Sequence, residues 1–220
     1  HLNIDEQRPL IVVAQVYGAK QVITGDFNSD GRLDMAAASY GSAPSTGEHD
    51  KIAWYNNTDG LGNFSTPILV TQNADDAYNV AAGDFNSDGA LDLASSYNNN
   101  NIAWYQNIDG KGNFSTRIIL TAATNAANFV LGGDFNGDGW FDLASSSYDN
   151  SKIAWYNNTD GKGNFSTQLV ITNNAPGANS LAIGDLNGDN HLDLISANND
   201  GNSIYWYNNT DGCGNFSTGI

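Results

Sequence analysis

The sequence of 220 residues has few basic residues, few prolines and almost no cysteine. Only 8 Lys and Arg stand against 24 Asp and Glu, which gives a formal net charge of −16. The clustered cations that bind nucleic acids or anionic membranes are therefore missing. The single cysteine, Cys213, excludes an intramolecular disulfide framework and a multi-cysteine zinc site. No apolar run approaches the ~20 residues that span a bilayer, so we expect no membrane insertion.

Sequence motifs of catalysis are absent as well. The chain has no G-x-S-x-G elbow, no H-E-x-x-H and no cysteine with a partner histidine. The three histidines, His1, His49 and His191, show no motif spacing. We therefore expect no enzyme. The chain starts at His1 without a signal peptide, as a processed secreted protein or an excised fragment would, and we expect an extracellular location.

What the sequence does contain is a repeat of about 51 residues. One segment reads GDFNSDGRLD from Gly25 and recurs from Gly83, Gly133 and Gly184. A second segment reads IAWYNNTDGLGNFST from Ile52 and recurs from Ile102, Ile153 and Ile204. The tryptophans of the second segment follow one another at spacings of 50, 51 and 51 residues. The chain is therefore built of four units.

Each unit predicts four short strands, because runs rich in Val, Ile, Leu, Tyr and Trp alternate with Gly, Asn and Asp clusters. In the second unit we expect strands at 79–85, 91–97, 102–107 and 114–121. No window shows the apolar periodicity of a helix. Four strands in about 50 residues is typical of a β-propeller blade. We predict an all-β, single-domain propeller over residues 1–220, with four blades at about 21–70, 79–121, 129–171 and 180–220.

The two ends of the chain predict how the last blade is completed. Each internal GNFST leads into an apolar strand, whereas the last one stops at Ile220. Residues 8–13, RPLIVV, match such a strand and precede the first unit. We expect them to form the outer strand of the last blade, since this closure removes open sheet edges. Closure within one chain is the simpler expectation. A homodimer through strand exchange, or through a Cys213 disulfide, is the alternative.

The Asp-rich loop of each unit predicts a metal site. Its pattern, D-x-N-x-D-G-x-x-D, places side-chain oxygens at positions 1, 3, 5 and 9 and a backbone carbonyl at position 7. Hard oxygen ligands in this spacing are typical of Ca²⁺. The predicted ligands are Asp26, Asn28, Asp30, Arg32, Asp34, Asp84, Asn86, Asp88, Ala90, Asp92, Asp134, Asn136, Asp138, Trp140, Asp142, Asp185, Asn187, Asp189, His191 and Asp193.

Ordinary Asn/Asp turns without an ion are the alternative to a metal site. Four copies that vary between the ligands yet keep every ligand favour about four structural Ca²⁺ ions. Mg²⁺ prefers fewer protein ligands, and Zn²⁺ lacks its nitrogen and sulfur ligands here. Glycine at position 6 permits the sharp turn, and Asn190, which replaces it in the fourth loop, tolerates the same left-handed backbone.

Asp-rich loops in a ~50-residue unit, each followed by IAWYNNTDGxGNFS, resemble the FG-GAP/VCBS repeat family. The resemblance covers essentially the whole chain. It implies a calcium-loaded β-propeller, as in the head of integrin α subunits and in certain mushroom lectins. Those relatives usually close with six or seven blades, whereas this chain supplies four.

A multivalent lectin for glycans or glycoproteins is the function that we expect. The mushroom lectins of the family point to it, and equivalent sites on one ring suit weak, repeated ligands. Aromatic and amide side chains after the second strand of each unit are the predicted ligand-binding residues: Tyr40, Tyr97, Asn98, Tyr148 and Asn198. The repeated Trp-Tyr pairs could also stack on sugars, but packing between blades is favoured.

Other features keep further interpretations open. An integrin-like adhesion module for a protein partner is one, and an insertion near residues 42–49 would suit it. A designed or excised propeller without a selected ligand is another. N-x-S/T sequons are candidate glycosylation sites. They lie at Asn56, Asn63, Asn113, Asn157, Asn164, Asn208 and Asn215.

Overall fold

A computed structural model of the chain describes residues 16, 18–40, 50–72, 74, 77–97, 101–121 and 127–220. These residues form β-strands and no helix. No segment within them is a helix long and apolar enough to cross a membrane. The strands are β1 (Ala19–Gly25), β2 (Asp34–Ser39), β3 (Lys51–Tyr55), β4 (Ile68–Thr71), β5 (Ala77–Gly83), β6 (Asp92–Tyr97), β7 (Asn101–Tyr105), β8 (Ile118–Thr121), β9 (Ala127–Gly133), β10 (Asp142–Ser147), β11 (Lys152–Tyr156), β12 (Leu169–Thr172), β13 (Ala178–Gly184), β14 (Asp193–Asn198) and β15 (Ser203–Tyr207).

The strands form four antiparallel meanders, one for each unit of the repeat. β1–β4, β5–β8 and β9–β12 are four-stranded sheets, and β13–β15 is a three-stranded sheet. We call them blades 1 to 4. Their registers repeat, so that Ala36 pairs with Trp54 in blade 1 as Ala94 pairs with Trp104 in blade 2. The all-β, blade-like architecture predicted from the sequence is confirmed for the described residues.

The outermost strand of blade 2 is shorter than the sequence predicted. In blade 2 it covers Ile118–Thr121 rather than 114–121. The preceding GNFST segment makes one isolated bridge, between Asn107 and Phe114, and then leaves the ladder. Ser115 holds this bend, because its hydroxyl accepts from the Gln106 N–H and donates to the Thr116 carbonyl. Side-chain bonds of serine to nearby backbone compete with strand pairing in this way.

Consecutive blades pack through a tryptophan that lies on a glycine of the next blade. The Trp54 indole N–H donates to the Gly112 carbonyl at 3.1 Å. A Cβ added to Gly112 would lie 2.1 Å from the Trp54 ring, so no larger residue fits there. Trp104 on Gly163 and Trp155 on Gly214 repeat the close packing of ring on glycine. The glycine of the DGxGNF turn is therefore required by the neighbouring blade.

A buried asparagine joins each blade to the preceding one by a hydrogen bond. The Asn107 amide N–H donates to the Phe27 carbonyl of blade 1 at 2.8 Å. Asn158 to Phe85 and Asn209 to Phe135 repeat the bond, at 2.8 and 2.7 Å. Asn57 holds the equivalent place in blade 1 and donates within its own blade, to Leu33 at 3.1 Å.

The described blades form an open arc. β1 packs on β5, β5 on β9 and β9 on β13, whereas no comparable contact joins the described strands of blade 4 to those of blade 1. Val22 of β1 is 59% exposed and Ile204 of β15 is 72% exposed, although their equivalents at the internal junctions are buried. The expected closure of four blades within one chain is therefore not confirmed. Residues 8–13, the expected closing strand, and the insertion at 42–49 lie outside the described residues.

Candidate metal loops and ligand-binding face

The connections between strands lie alternately at the two opposite ends of each blade. The Asp-rich loops join the first and second strands of each blade, and the DGxGNF turns join β3 to β4 and its equivalents at the same end. We call this end the metal-loop face. The connections between the second and third strands lie at the opposite end, which we call the distal face. Antiparallel pairing therefore separates the predicted metal sites from the predicted ligand-binding residues.

Hydrogen bonds within each Asp-rich loop hold its side-chain oxygens against the backbone. Asp26 accepts from the N–H groups of Asp30 at 3.1 Å and Gly31 at 2.8 Å. Asn28 also accepts from Asp30, and Asp30 accepts from Arg32, both at 3.0 Å. The other three loops repeat these bonds. The loops are thus preformed by Asx-type turns.

The backbone of the loops is left-handed at two positions. At position 6, Gly31 has a φ of 82° and Asn190 a φ of 67°. The prediction that Asn190 adopts the conformation of the glycine it replaces is confirmed. At position 4, Ser29 has a φ of 59°, and the third and fourth loops place Gly137 and Gly188 there. Sequence reasoning did not identify this second left-handed position.

The aspartate at position 9 joins the loop to the DGxGNF turn. In blade 2 the buried Asp92 accepts from the Phe85 N–H at 3.1 Å and from the Asn107 N–H at 2.7 Å. The aspartates at position 9 in the other blades, Asp34, Asp142 and Asp193, accept the same pair of bonds. Position 9 therefore has a structural role that does not require an ion.

Burial and neighbouring carboxylates raise the pKa of three of these aspartates. Burial raises the pKa of Asp92 to about 7 against the lowering effect of its two backbone hydrogen bonds, and the charges of Asp88 and Asp84 raise it further. The pKa of Asp142 rises to about 7 for the same reasons. The pKa of Asp34 is also raised, by burial first and then by Asp30 and Asp26. Carboxylates that repel one another in this way would be stabilised by a cation.

The donor set of the loops fits Ca²⁺. All the side-chain donors are oxygens, and each carboxylate oxygen that accepts one N–H keeps a lone pair for a metal. Within the described residues, however, no three Asp, Glu, His or Cys side chains are clustered in a ligating arrangement. In the first loop a carboxylate has a neighbouring cation instead, since the Arg32 guanidinium lies 3.5 Å from Asp30. In the fourth loop the His191 imidazole lies 3.4 Å from Asp189. Calcium binding stays a prediction.

Two tyrosine clusters lie on the distal face, each across a blade junction. At the junction of blades 1 and 2, the rings of Tyr40 and Tyr78 are 6.0 Å apart. Lys20 Nζ lies 5.1 Å from the Tyr40 ring centroid and 4.7 Å from that of Tyr78. Tyr78 and Lys20 were not predicted, because neither residue recurs at the equivalent positions of the other units.

At the junction of blades 3 and 4, the Tyr148 hydroxyl donates to Asp200 Oδ1 at 2.6 Å. The Asn199 amide donates to the same hydroxyl at 3.4 Å. Asp200 and Asn199 are exposed, and Tyr148 is half-buried. Of the predicted ligand-binding residues, Tyr40 and Tyr148 therefore lie in accessible clusters that combine an aromatic ring with polar or charged groups.

The other predicted ligand-binding residues do not form such clusters. Tyr97 is fully buried, with its hydroxyl against that of Tyr105 and the Arg117 guanidinium 5.3 Å from its ring. The prediction that Tyr97 offers a face to a ligand is therefore wrong. Asn198 is also buried, and accepts from the Ser196 hydroxyl at 3.0 Å. Asn98 lies outside the described residues.

The repeated tryptophans of blades 1 to 3 are buried, whereas the sequon asparagines of the GNFS segments and Cys213 are exposed. Trp54, Trp104 and Trp155 are buried at blade junctions, which confirms packing as their role. The sequon asparagines of the GNFS segments are exposed, and their amides donate to the aspartate of the same turn, as Asn63 does to Asp59 at 2.5 Å. Glycosylation stays a prediction. Cys213 is an exposed free thiol.

Comparison with known families identifies the repeat. The model of the FG-GAP-like repeat matches residues 26–95, 85–145 and 134–196. Each match starts in an Asp-rich loop and ends in the second strand of the following blade. The chain belongs to the FG-GAP-like repeat family. No curated protein sequence matches it significantly.

Solved structures of low sequence identity share the fold. The crystal structure of BBS1N in complex with ARL6DN matches with a TM-score of 0.58 and 14% identity, over 94% of this chain and 57% of that one. A mutant of the NanB sialidase from Streptococcus pneumoniae has a TM-score of 0.53 and 13% identity, over 83% and 28%. The intramolecular trans-sialidase from Ruminococcus gnavus has a TM-score of 0.52 and 20% identity, over 84% and 42%. The chain thus spans less than two thirds of each, and the likeness supports a propeller-like fold alone.

Proposed function

We propose that this chain is a calcium-loaded propeller domain that binds carbohydrate without catalysis. The observation that carries the proposal is the pair of tyrosine clusters on the distal face. A sugar site combines an aromatic surface for the apolar face of the ring with carboxylate and amide groups for the hydroxyls. Tyr148, Asp200 and Asn199 provide this combination, with hydrogen bonds that already orient the three side chains.

The position of the clusters suits a multivalent ligand. Both lie at blade junctions on the same face, and Tyr40 with Tyr78 offers a second aromatic surface beside the cation of Lys20. Two weak sites on one rigid arc raise the overall affinity for a glycan-bearing surface through effective concentration. Rigidity is supported by the buried core clusters that join blade 1 to blade 2 and blade 3 to blade 4.

Binding to a glycan array, followed by titration of the best sugar, tests this function. Tyr148→Ala and Asp200→Ala should each weaken binding about tenfold or more, since they remove the ring or the carboxylate. Leu61→Ala is the matched control, because Leu61 is an exposed side chain on the metal-loop face. A blank array would contradict the proposal and would favour the adhesion module. Equal binding by all three variants would contradict the assignment to the distal face.

Calcium in the four loops would stabilise the metal-loop face. Side-chain oxygens at positions 1, 3, 5 and 9 and the position 7 carbonyl, such as that of Ala90, would hold each ion. The ion supplies positive charge where Asp84, Asp88 and Asp92 repel one another. Four ions would add eight positive charges and bring the net charge from −16 to about −8.

Calorimetric titration of chelator-treated protein with Ca²⁺ tests this assignment. We expect about four ions per chain and a melting temperature that falls when EDTA removes them. Asp88→Ala should reduce the stoichiometry to about three. Asp109→Ala should leave it unchanged, because Asp109 lies in a DGxGNF turn outside the loops. No binding heat together with an EDTA-insensitive melting temperature would contradict calcium binding.

A further inference from the structure

Each internal junction is built from two sets of groups that face each other. The earlier blade contributes a forward face, with an isoleucine, the junction tryptophan and a phenylalanine carbonyl. The later blade contributes a rear face, with a β-branched or leucine side chain, the turn glycine and the junction asparagine. Between blades 1 and 2 these groups are Trp54 and Phe27 against Val80, Gly112 and Asn107.

The forward face of blade 4 carries the same groups without their partners. Ile204 is 72% exposed, whereas its equivalents Ile52, Ile102 and Ile153 are buried. The Trp206 indole N–H is buried but has no hydrogen-bond partner among the described residues. Asn198 Nδ2 and Ser203 Oγ are likewise buried without a hydrogen-bond partner among the described residues. Both residues line a cleft of about 570 Å³ together with Ile204. At the junction of blades 3 and 4, by contrast, the equivalent Ile153 belongs to one buried cluster with Ala178 and Leu181 of the next blade.

The rear face of blade 1 carries the complementary set. Val22 is 59% exposed, whereas its equivalents Val80 and Val130 are buried. A Cβ added to Gly62 would contact nothing within 4 Å, whereas the same atom on Gly112 would meet Trp54. The Asn57 amide donates to the Leu33 carbonyl of its own blade. Among the described residues it has no counterpart of the bond that Asn107 makes to the preceding blade. Blade 1 thus presents a glycine on which an indole ring can pack and an asparagine amide that can donate to a carbonyl of another blade.

We propose that the forward face of blade 4 binds the rear face of blade 1 in a second copy of this chain. In that junction the Trp206 indole packs on Gly62 of the other copy and donates to its carbonyl. The Asn57 amide of that copy donates to the carbonyl of Leu186, which replaces the phenylalanine in blade 4. Both faces follow the register already used three times within the chain, so the match requires no new surface. In a dimer, blade 4 of each copy contacts blade 1 of the other. These two junctions cover the forward face of blade 4 and the rear face of blade 1 in both copies.

The mass of the 220-residue chain in solution tests this interface. Light scattering after size exclusion should give twice 23.4 kDa at micromolar concentrations. Val22→Asp and Ile204→Asp each place a charge in the junction and should weaken the dimer at least tenfold. Ile108→Asp is the matched control, because Ile108 is 63% exposed in a turn outside both faces, and it should stay dimeric. Far-UV circular dichroism verifies that the variants fold.

A mixture of the two interface variants separates this head-to-tail contact from a symmetric one. The Val22→Asp chain keeps an intact forward face and the Ile204→Asp chain keeps an intact rear face. Mixed together, they should therefore form a dimer through one undamaged junction. A monomeric native chain, a dimer that neither variant weakens, or a mixture that stays monomeric would each overturn the proposal.

Discussion

The junction asparagines offer a comparison between two chemically identical substitutions. Asn107→Ala removes three side-chain hydrogen bonds, to the carbonyls of Phe27 at 2.8 Å and Leu91 at 3.2 Å and from the Gly112 N–H at 3.0 Å. Asn57→Ala removes the equivalents within its blade, to Leu33 at 3.1 Å and from Gly60 and Gly62 at 3.0 and 3.3 Å. The two variants differ in two bonds: only Asn107→Ala removes a bond to the preceding blade, and only Asn57→Ala removes one from the Gly60 N–H. Gly60 is exposed, so water replaces the bond to its N–H at little cost, and the bond to the preceding blade dominates the difference.

The magnitude follows from the burial of the Phe27 carbonyl. Phe27 is fully buried between blades 1 and 2. A buried acceptor left without a partner costs about 1–3 kcal/mol. We therefore expect Asn107→Ala to lower the free energy of unfolding by about 1–3 kcal/mol more than Asn57→Ala does. In melting temperature this difference is about 2–12 °C for a chain of this size.

Urea unfolding, followed by tryptophan fluorescence and by circular dichroism, measures this difference. The two signals must coincide before a free energy is taken from them, because repeat proteins can unfold blade by blade. The protein concentration should keep the chain monomeric, since a second copy on the rear face of blade 1 would give Asn57 the bond that it otherwise lacks. Equal destabilisation of both variants, within about 0.5 kcal/mol, would refute a role for this bond between blades.

Two further predictions concern the turn glycines and pH. Gly112→Ala should lower the free energy of unfolding by at least ~2 kcal/mol more than Gly62→Ala, because both glycines have a positive φ but only Gly112 faces Trp54. Equal losses in urea unfolding would show that backbone strain alone matters. Without calcium, the chain should be more stable at pH 5 than at pH 8. The folded pKa of Asp92 and of Asp142, about 7, exceeds the unfolded value of 3.8. The folded state therefore retains protons as the pH rises from about 4 to 7, and stability is lost over that range. The melting temperature of calcium-free protein, measured across this pH range, checks the prediction, and an increase with pH would contradict it. Added Ca²⁺ should reduce the dependence of the melting temperature on pH.

The sequence predicted the parts of the fold that depend on local chemistry. The inner strands of the second unit were expected at 79–85, 91–97 and 102–107, and they are observed at Ala77–Gly83, Asp92–Tyr97 and Asn101–Tyr105. The left-handed Asn190 was predicted because asparagine tolerates a positive φ. The outer strand was predicted too long, since serine bonds to the backbone, as at Ser115, leave no trace in hydrophobic periodicity.

Contacts between blades could not be predicted from the sequence pattern. Tyr40, Tyr97 and Tyr148 follow the second strand of their units, and the pattern could not separate them. The structure buries Tyr97 beneath Arg117 and leaves Tyr148 beside Asp200. The partners that decide the difference are specific to single blades, so repeat analysis could not find them.

The sequence by itself determined the repeat, the strands, the Asp-rich loops and the glycine turns. Each of these depends on residues within a few positions of one another, and four copies reinforce the pattern. Only the tertiary structure decided which tyrosines are exposed, that Asp92 and Asp142 are buried next to other carboxylates, and that the described blades end in two open faces. The physical reason is that burial depends on the neighbouring blade. Ile153 and Ile204 stand in nearly identical local sequences, but only Ile153 is covered by a following blade.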